Sequence, residues 1–341
     1  MSDGLAACLP SQAGPGPADA MSDNRRLCVV MYHYTRDLAH SRYPRIKGLD
    51  IALFKEQISF FKAKFNAVTM ERVIESMNGG RELPERPLLL TFDDGYADNY
   101  DFAFPVLKEN GMQGSFYVSG KTFTDHELLD VNKIHFILAS GDSLAINRRL
   151  RERMDYYRGR EYDYPSNEEL SRQYVTPKRY DGPETVFIKQ MLQNALPEPL
   201  RHRIASELLE EYVGVSEEVL SHELYLTRDQ IRLMRAEGMH IGIHGYDHYS
   251  LGLLPADKAR ADIERALEVM DEFIDRDSWT MNFPYGSYNE GVLDFVKSKG
   301  AVLGFSTRVG FARLGADPVL ELPRLNCNDF PPKSETYKEF L

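Results

Sequence analysis

Three short segments of this 341-residue sequence carry side chains suited to hydrolysis: Asp93-Asp94-Gly95, His244-Gly245-Tyr246-Asp247-His248 and Asn282-Phe283-Pro284-Tyr285-Gly286. Two imidazoles four residues apart converge on one ion when the segment makes a helical turn. One carboxylate added to them gives a three-ligand site with positions left open for water and substrate, the arrangement of a hydrolytic metal centre. The other carboxylate of the pair is then free to take a proton from that water. Pro and Gly around Tyr285 make a turn, and a turn can aim a backbone N–H at a developing oxyanion.

Taken singly, each segment also reads as an ordinary surface turn or a chance pair. Their positions argue otherwise. Leu27 to Tyr32, Pro87 to Phe92, Gly114 to Val118 and Met239 to Ile243 are short apolar runs with the character of buried strands. Further strands are expected near residues 278–283 and 302–306. The DDG, HGYDH and NFPYG segments each follow such a run, and the carboxyl ends of parallel strands carry the active site in α/β folds. Two adjacent acids face one pocket only if the backbone bends, which Gly95 permits. Helices are expected at 50–65, with Asp50 as N-cap, at 103–110, ending at Gly111, and at 227–237, 255–274 and 290–299. Strands alternating with helices indicate a parallel sheet or barrel. The alternation breaks between residues 125 and 220, a stretch rich in Arg, Glu and Tyr and punctuated by five prolines, which reads as a largely helical insertion. Its cluster Arg148, Arg149, Arg151 and Arg153 reads as a solvated helix face.

A formal charge of −11 and a pI near 5.4 exclude a protein that wraps nucleic acid, since phosphate binding needs a basic footprint. Three widely spaced cysteines, Cys8, Cys28 and Cys327, make neither a disulfide framework nor a CxxC metal site. No run approaches the roughly 20 apolar residues of a membrane span. The first twenty residues lack both a basic region and a continuous apolar region, and Met21 offers a second start with the same property. A cytoplasmic protein with no membrane partner is the expectation.

Thr91-Phe92-Asp93-Asp94-Gly95, His244 to His248 and Phe283-Pro284-Tyr285-Gly286, in this order, resemble the first three motifs of the polysaccharide deacetylase family, which shares the NodB-homology domain. The resemblance implies an α/β fold, a distorted (β/α) barrel of seven parallel strands carrying the helical insertion. Together with the Gly-, Pro- and Ala-rich start and the break in alternation, it divides the chain into a disordered leader (1–24), the barrel in two segments (25–124 and 221–330), the insertion (125–220), which the resemblance leaves unexplained, and a tail (331–341). It implies Asp93 as general base, Asp94, His244 and His248 as ligands of a divalent ion, zinc in most members, and Tyr285 as donor of a backbone N–H to the tetrahedral intermediate, with Pro284 and Asn282 beside it. Two departures stand out. The family's third motif begins with an arginine that orients the base, where this chain has Asn282, and no histidine follows His248 to supply the late general acid. Arg324 is the candidate substitute for the arginine. His33 resembles the histidine on the first strand of poly-N-acetylglucosamine deacetylases and is the candidate acid.

The leading expectation is a metal-dependent N-deacetylase of an N-acetylated sugar, oligosaccharide, sugar conjugate or nucleotide sugar. A hydrolase of another amide on the same site and a non-catalytic metal-containing binding protein stand as alternatives. The insertion either narrows the mouth of the site or builds a homo-oligomer interface.

Overall fold

Six apolar runs and a late two-residue pairing build the parallel body of a nine-stranded sheet, completed by Asn66–Ala67, parallel to Pro87–Phe92, and Ala312–Arg313, antiparallel to Arg26–Tyr32. The computed structural model describes residues 25–178 and 181–341, so the segment expected to be a leader lies outside the described residues. The strands are β1 (Arg26–Tyr32), β2 (Pro87–Phe92), β3 (Gly114–Val118), β4 (His240–Ile243), β5 (Trp279–Asn282), β6 (Ala301–Phe305) and β7 (Leu325–Asn326). They lie in the order β7-β1-β2-β3-β4-β5-β6, every neighbouring pair parallel. All six residues of β2 and all five of β3 are buried, because helices cover one face and the barrel interior the other. The chain leaving β6 joins the sheet's two edges: Leu322 bridges Phe305 in parallel fashion, and Leu325 then pairs with Val30 of β1. The expected seven-stranded (β/α) barrel is thus present, drawn shut by one segment.

The helices lie close to their expected bounds. Ile51–Lys64 starts from Asp50, whose side chain accepts the Ala52 N–H at 2.9 Å, and Phe104–Glu109 ends where Gly111 takes φ +65°. The helix Met70–Met77, capped by Thr69, was not expected, since eight residues give the 3.6-residue period little length to declare itself.

Between β3 and β4 the chain forms Asp130–Ser140, Ser143–Tyr157, Asn167–Tyr174, Pro183–Gln190, Glu198–Val213 and Glu217–Leu224. These helices bury an apolar cluster of their own, which the barrel enters through Tyr34, Ile46 and Tyr96. The arginine cluster is more than a solvated face. Arg149 reaches Glu211 at 2.8 Å, Arg153 reaches Glu207 at 2.7 Å, and Arg151 lies over the Phe187 ring at 4.0 Å, tying Ser143–Tyr157 to its neighbours. Residues 331–341 include a 3-10 turn at Thr336–Phe340 that places Tyr337 among Phe60, Phe65 and Phe330. Trp279 is buried, with its indole N–H on the Lys299 carbonyl at 2.8 Å. No helix among the described residues is long and apolar enough to cross a membrane.

Candidate active site

Because the strands are parallel, the segments that follow β1, β2, β4 and β5 emerge at one end of the barrel. Asp93 still belongs to the ladder, its N–H on the Tyr32 carbonyl at 2.9 Å. The bend begins one residue earlier than glycine alone would place it: Asp94 takes φ +74° and Gly95 φ +70°, and a Cβ on Gly95 would lie 2.8 Å from Val118. The left-handed conformation costs a non-glycine residue about 1 kcal/mol, and here it turns the second carboxylate toward β4.

His244 and His248 do converge with Asp94, though not through a helical turn. Residues 244–248 form an irregular loop with Gly245 at φ +70° and His248 at φ +58°. The loop is shaped by a residue absent from the sequence reading. Asp262, on the helix Ala256–Met270, accepts the N–H groups of Tyr246 at 3.0 Å and Asp247 at 2.8 Å. It interrupts the buried face made by Ala259, Ile263 and Ala266, and a carboxylate on an otherwise apolar stripe was the available signal.

Both imidazole Nε2 atoms lie 3.2 Å from Asp94 Oδ1, and the three ligand atoms fall within 4.8 Å of one another, the only such group of at least three among the described residues. Asp94 Oδ1 has no hydrogen-bond donor, a costly state for a fully buried oxygen. Its other oxygen accepts the Tyr96 hydroxyl at 2.5 Å, and Tyr96 in turn accepts from Asn132 of the insertion at 2.7 Å. The His244 Nδ1 sits 2.7 Å from the Asn282 carbonyl. A carbonyl only accepts, so Nδ1 carries a proton, and in the neutral imidazole Nε2 is then the nitrogen with a lone pair free for a metal. An orphaned carboxylate oxygen facing two imidazole nitrogens is the donor set of a divalent ion, so these residues fit one.

Asp93 sits beside this cluster in a different setting. The Arg324 guanidinium grips it with two nitrogens, each 2.9 Å from a different carboxylate oxygen, while the Asn282 side-chain amide donates to Oδ1. Arg324 is itself pinned by Thr91 Oγ1 and the Ser306 carbonyl, both at 3.1 Å. Burial pushes the Asp93 carboxyl up, but Arg324, His244 and His33 outweigh it and hold the group below its ordinary value. Asp94 goes the same way: against burial, His244 and His248 hold it well below the usual range. Burial prevails at His248 and lowers it, whereas at His244 the neighbouring Asp94 and Asp93 overcome burial and raise it.

His33 follows β1, half-buried and close enough to bias both carboxylates, with no side-chain hydrogen bond among the described residues. Pro284 is buried at the start of a one-turn 3-10 helix, and Tyr285 takes φ +59° with its ring edge-on to His248, centroids 4.7 Å apart. The other histidines stand apart: half-buried His135 meets the Tyr34 hydroxyl, His240 binds Thr280, His126 stacks on His222, His202 pairs with Asp130 and His40 with Asp37.

The polysaccharide deacetylase family model matches residues 80–151 and 162–303, more than half of the chain. The chain belongs to the polysaccharide deacetylase family. Within it, YxkH of Bacillus subtilis, which bears a polysaccharide deacetylase name, is 18% identical over 288 residues, 84% of this chain and 66% of its own length. The poly-beta-1,6-N-acetyl-D-glucosamine N-deacetylase of Escherichia coli K12 is 30% identical over 81 residues, 24% of this chain and 12% of that protein. The chain thus spans just under two thirds of the first relative and about an eighth of the second. The structure of the Streptococcus pyogenes deacetylase PplD in complex with acetate superposes with a TM-score of 0.55 at 16% identity, covering 92% of this chain and 96% of the other, a likeness of fold.

Asp262→Asn tests the support of the histidine loop. An amide offers one acceptor where the carboxylate offers two, so metal affinity, measured by chelator competition, is expected to fall by about 10- to 100-fold. Burial raises the Asp262 carboxyl from 3.8 to about 6, against the two N–H groups that lower it. Across that window the folded chain keeps a proton that the unfolded chain has released, so this group's contribution to stability falls as pH rises through it and is flat above. Urea titrations across the window should show the stability of the wild type relative to the variant declining as pH rises from 3.8 to about 6 and levelling above it.

Proposed function

We propose that this chain is a metal-dependent N-deacetylase of N-acetylated sugars. The observation that carries this reading is the pairing of a three-ligand cluster, with its orphaned carboxylate oxygen, and a separate carboxylate held ionised beside it by Arg324 and Asn282. Asp94, His244 and His248 would hold the ion, for which zinc suits two imidazoles and one carboxylate. When bound, a divalent ion here supplies a Lewis acid for the amide carbonyl and lowers the pKa of a coordinated water. Asp93 accepts the proton of the attacking water, and Arg324 and Asn282 keep its acceptor oxygens aimed. The turn at Tyr285 directs a backbone N–H toward the oxyanion that forms. His33 delivers a proton to the departing amine, a role motivated by its place beside both carboxylates.

Metal content by mass spectrometry on wild type and Asp94→Ala, with acetate release from a panel of N-acetylated sugars, tests the proposal. Near-stoichiometric metal that the variant loses, together with acetate from the wild type, is the expected result. Metal without acetate would favour a different amide or a binding role, and a wild type that takes up no metal after reconstitution overturns the reading.

A further inference from the structure

A cleft of about 550 Å³ opens beside the metal-ligand cluster, walled on one side by His248, Tyr249 and Tyr285 and on the other by Arg201 and His202 of the insertion. Its acids are already engaged. Glu127 and Asp247 share Lys121 at 2.7 and 2.9 Å, Asp130 is met by His202 at 3.1 Å and Lys133 at 3.2 Å, and Glu198 accepts the Tyr249 hydroxyl at 2.6 Å. Arg201 differs from every other charged group on these walls: half-buried on the helix Glu198–Val213, it makes no ion pair or hydrogen bond through its guanidinium among the described residues. It lines the same cleft as His248 and Tyr285, on the side of the candidate ligand cluster.

A guanidinium presents a rigid fork of donors that matches the two oxygens of a carboxylate or phosphate, and it is less strongly hydrated than an ammonium. An intramolecular acid would ordinarily take up such a group, yet the acids nearby are committed to other partners. We propose that Arg201 is a recognition point for an anionic group on the substrate, a carboxylate or phosphate borne by the N-acylated sugar, and that the insertion thereby selects charged sugars over neutral ones. The inference rests on the sugar deacetylase reading of this site. Selection comes from one unpaired cation and not from the field of the cleft, whose four carboxylates outnumber its two permanent cations, Lys121 and Arg201, so a neutral sugar gains nothing from Arg201 while a charged one gains a charge-assisted pair.

The test compares N-acetylglucosamine, its 1-phosphate and its 6-carboxylate as substrates for metal-loaded wild type, Arg201→Ala and Arg201→Lys, with metal content reporting that each variant is folded. Wild type is expected to favour at least one charged sugar by about 10- to 100-fold in kcat/KM, the range of a charge-assisted pair. Arg201→Ala should collapse that ratio toward one through KM, with partial recovery in Arg201→Lys. Whichever charged sugar shows the larger Arg201-dependent loss identifies the anion. A wild type indifferent to charge, or an unchanged ratio in Arg201→Ala, overturns the proposal. Calorimetric binding of the same three sugars keeps the two failures apart. Arg201-dependent preference in binding without acetate release sinks the deacetylase reading and retains the subsite, whereas equal binding of all three by wild type and Arg201→Ala sinks the subsite.

Discussion

Replacing Asp93 by Asn is expected to cut turnover by about 10²- to 10⁴-fold, the range of a lost general base, while metal content stays at the wild-type level. The two acids of the DDG segment are neighbours in sequence but serve different partners. Asp94 faces His244 and His248, and Asp93 faces Arg324 and Asn282. An amide at position 93 fills the same volume and touches none of the three ligand atoms. It cannot accept a proton from water, however, and it leaves Arg324 buried without its counter-charge. The variant should therefore also be less stable, by about 3 kcal/mol, the cost of breaking a buried pair from one side. Turnover and equilibrium denaturation measured on one preparation decide the matter. A variant that keeps more than a tenth of wild-type turnover would remove Asp93 from the role of base.

Arg324→Met is expected to produce the complementary effect. Asp93 would lose the group that most opposes burial, and its carboxyl would rise, so that protonation of the base extends to higher pH. The acid limb of the kcat/KM profile should accordingly move to higher pH, with turnover at neutral pH reduced, and stability should fall by about 3 to 5 kcal/mol for the stranded carboxylate. The double variant Asp93→Asn/Arg324→Met removes both charges. Its destabilisation should be smaller than the sum of the singles, because partners in direct contact couple by about 0.5 to 3 kcal/mol, while turnover recovers nothing. Additive stabilities would show that the two side chains do not act as a pair, whatever their separation.

The strands, most helices and the three chemical segments were legible in the sequence because each depends on local pattern: apolar runs, capping residues and glycines at bends. The bend at Asp94 was anticipated but assigned to Gly95 alone, since nothing local distinguishes an aspartate that will accept a left-handed φ. The convergence of His244 and His248 was anticipated through the wrong geometry. Their i, i+4 spacing suggests a helix, whereas the loop is held by Asp262, a contact between elements that no window of sequence displays. Tyr96 and Asn132 escaped notice for the same reason. Tyr96 adjoins the DDG segment, but its hydroxyl matters only because Asn132 meets it from a helix of the insertion. Arg324, more than two hundred residues from Asp93, was found by asking what replaces an arginine missing at position 282, a question that came from the family resemblance.

Arg324 lies in the same short stretch that pairs Leu322 with β6 and Leu325 with β1. The clamp on Asp93 is consequently delivered by the segment that shuts the barrel, late in the chain, after every candidate metal ligand. A polypeptide ending before residue 322 would possess Asp94, His244 and His248 but lack the Arg324 clamp, leaving Asn282 as the side chain that holds Asp93. Closure of the barrel and orientation of Asp93 thus share one segment, so a change that loosens the one is expected to loosen the other.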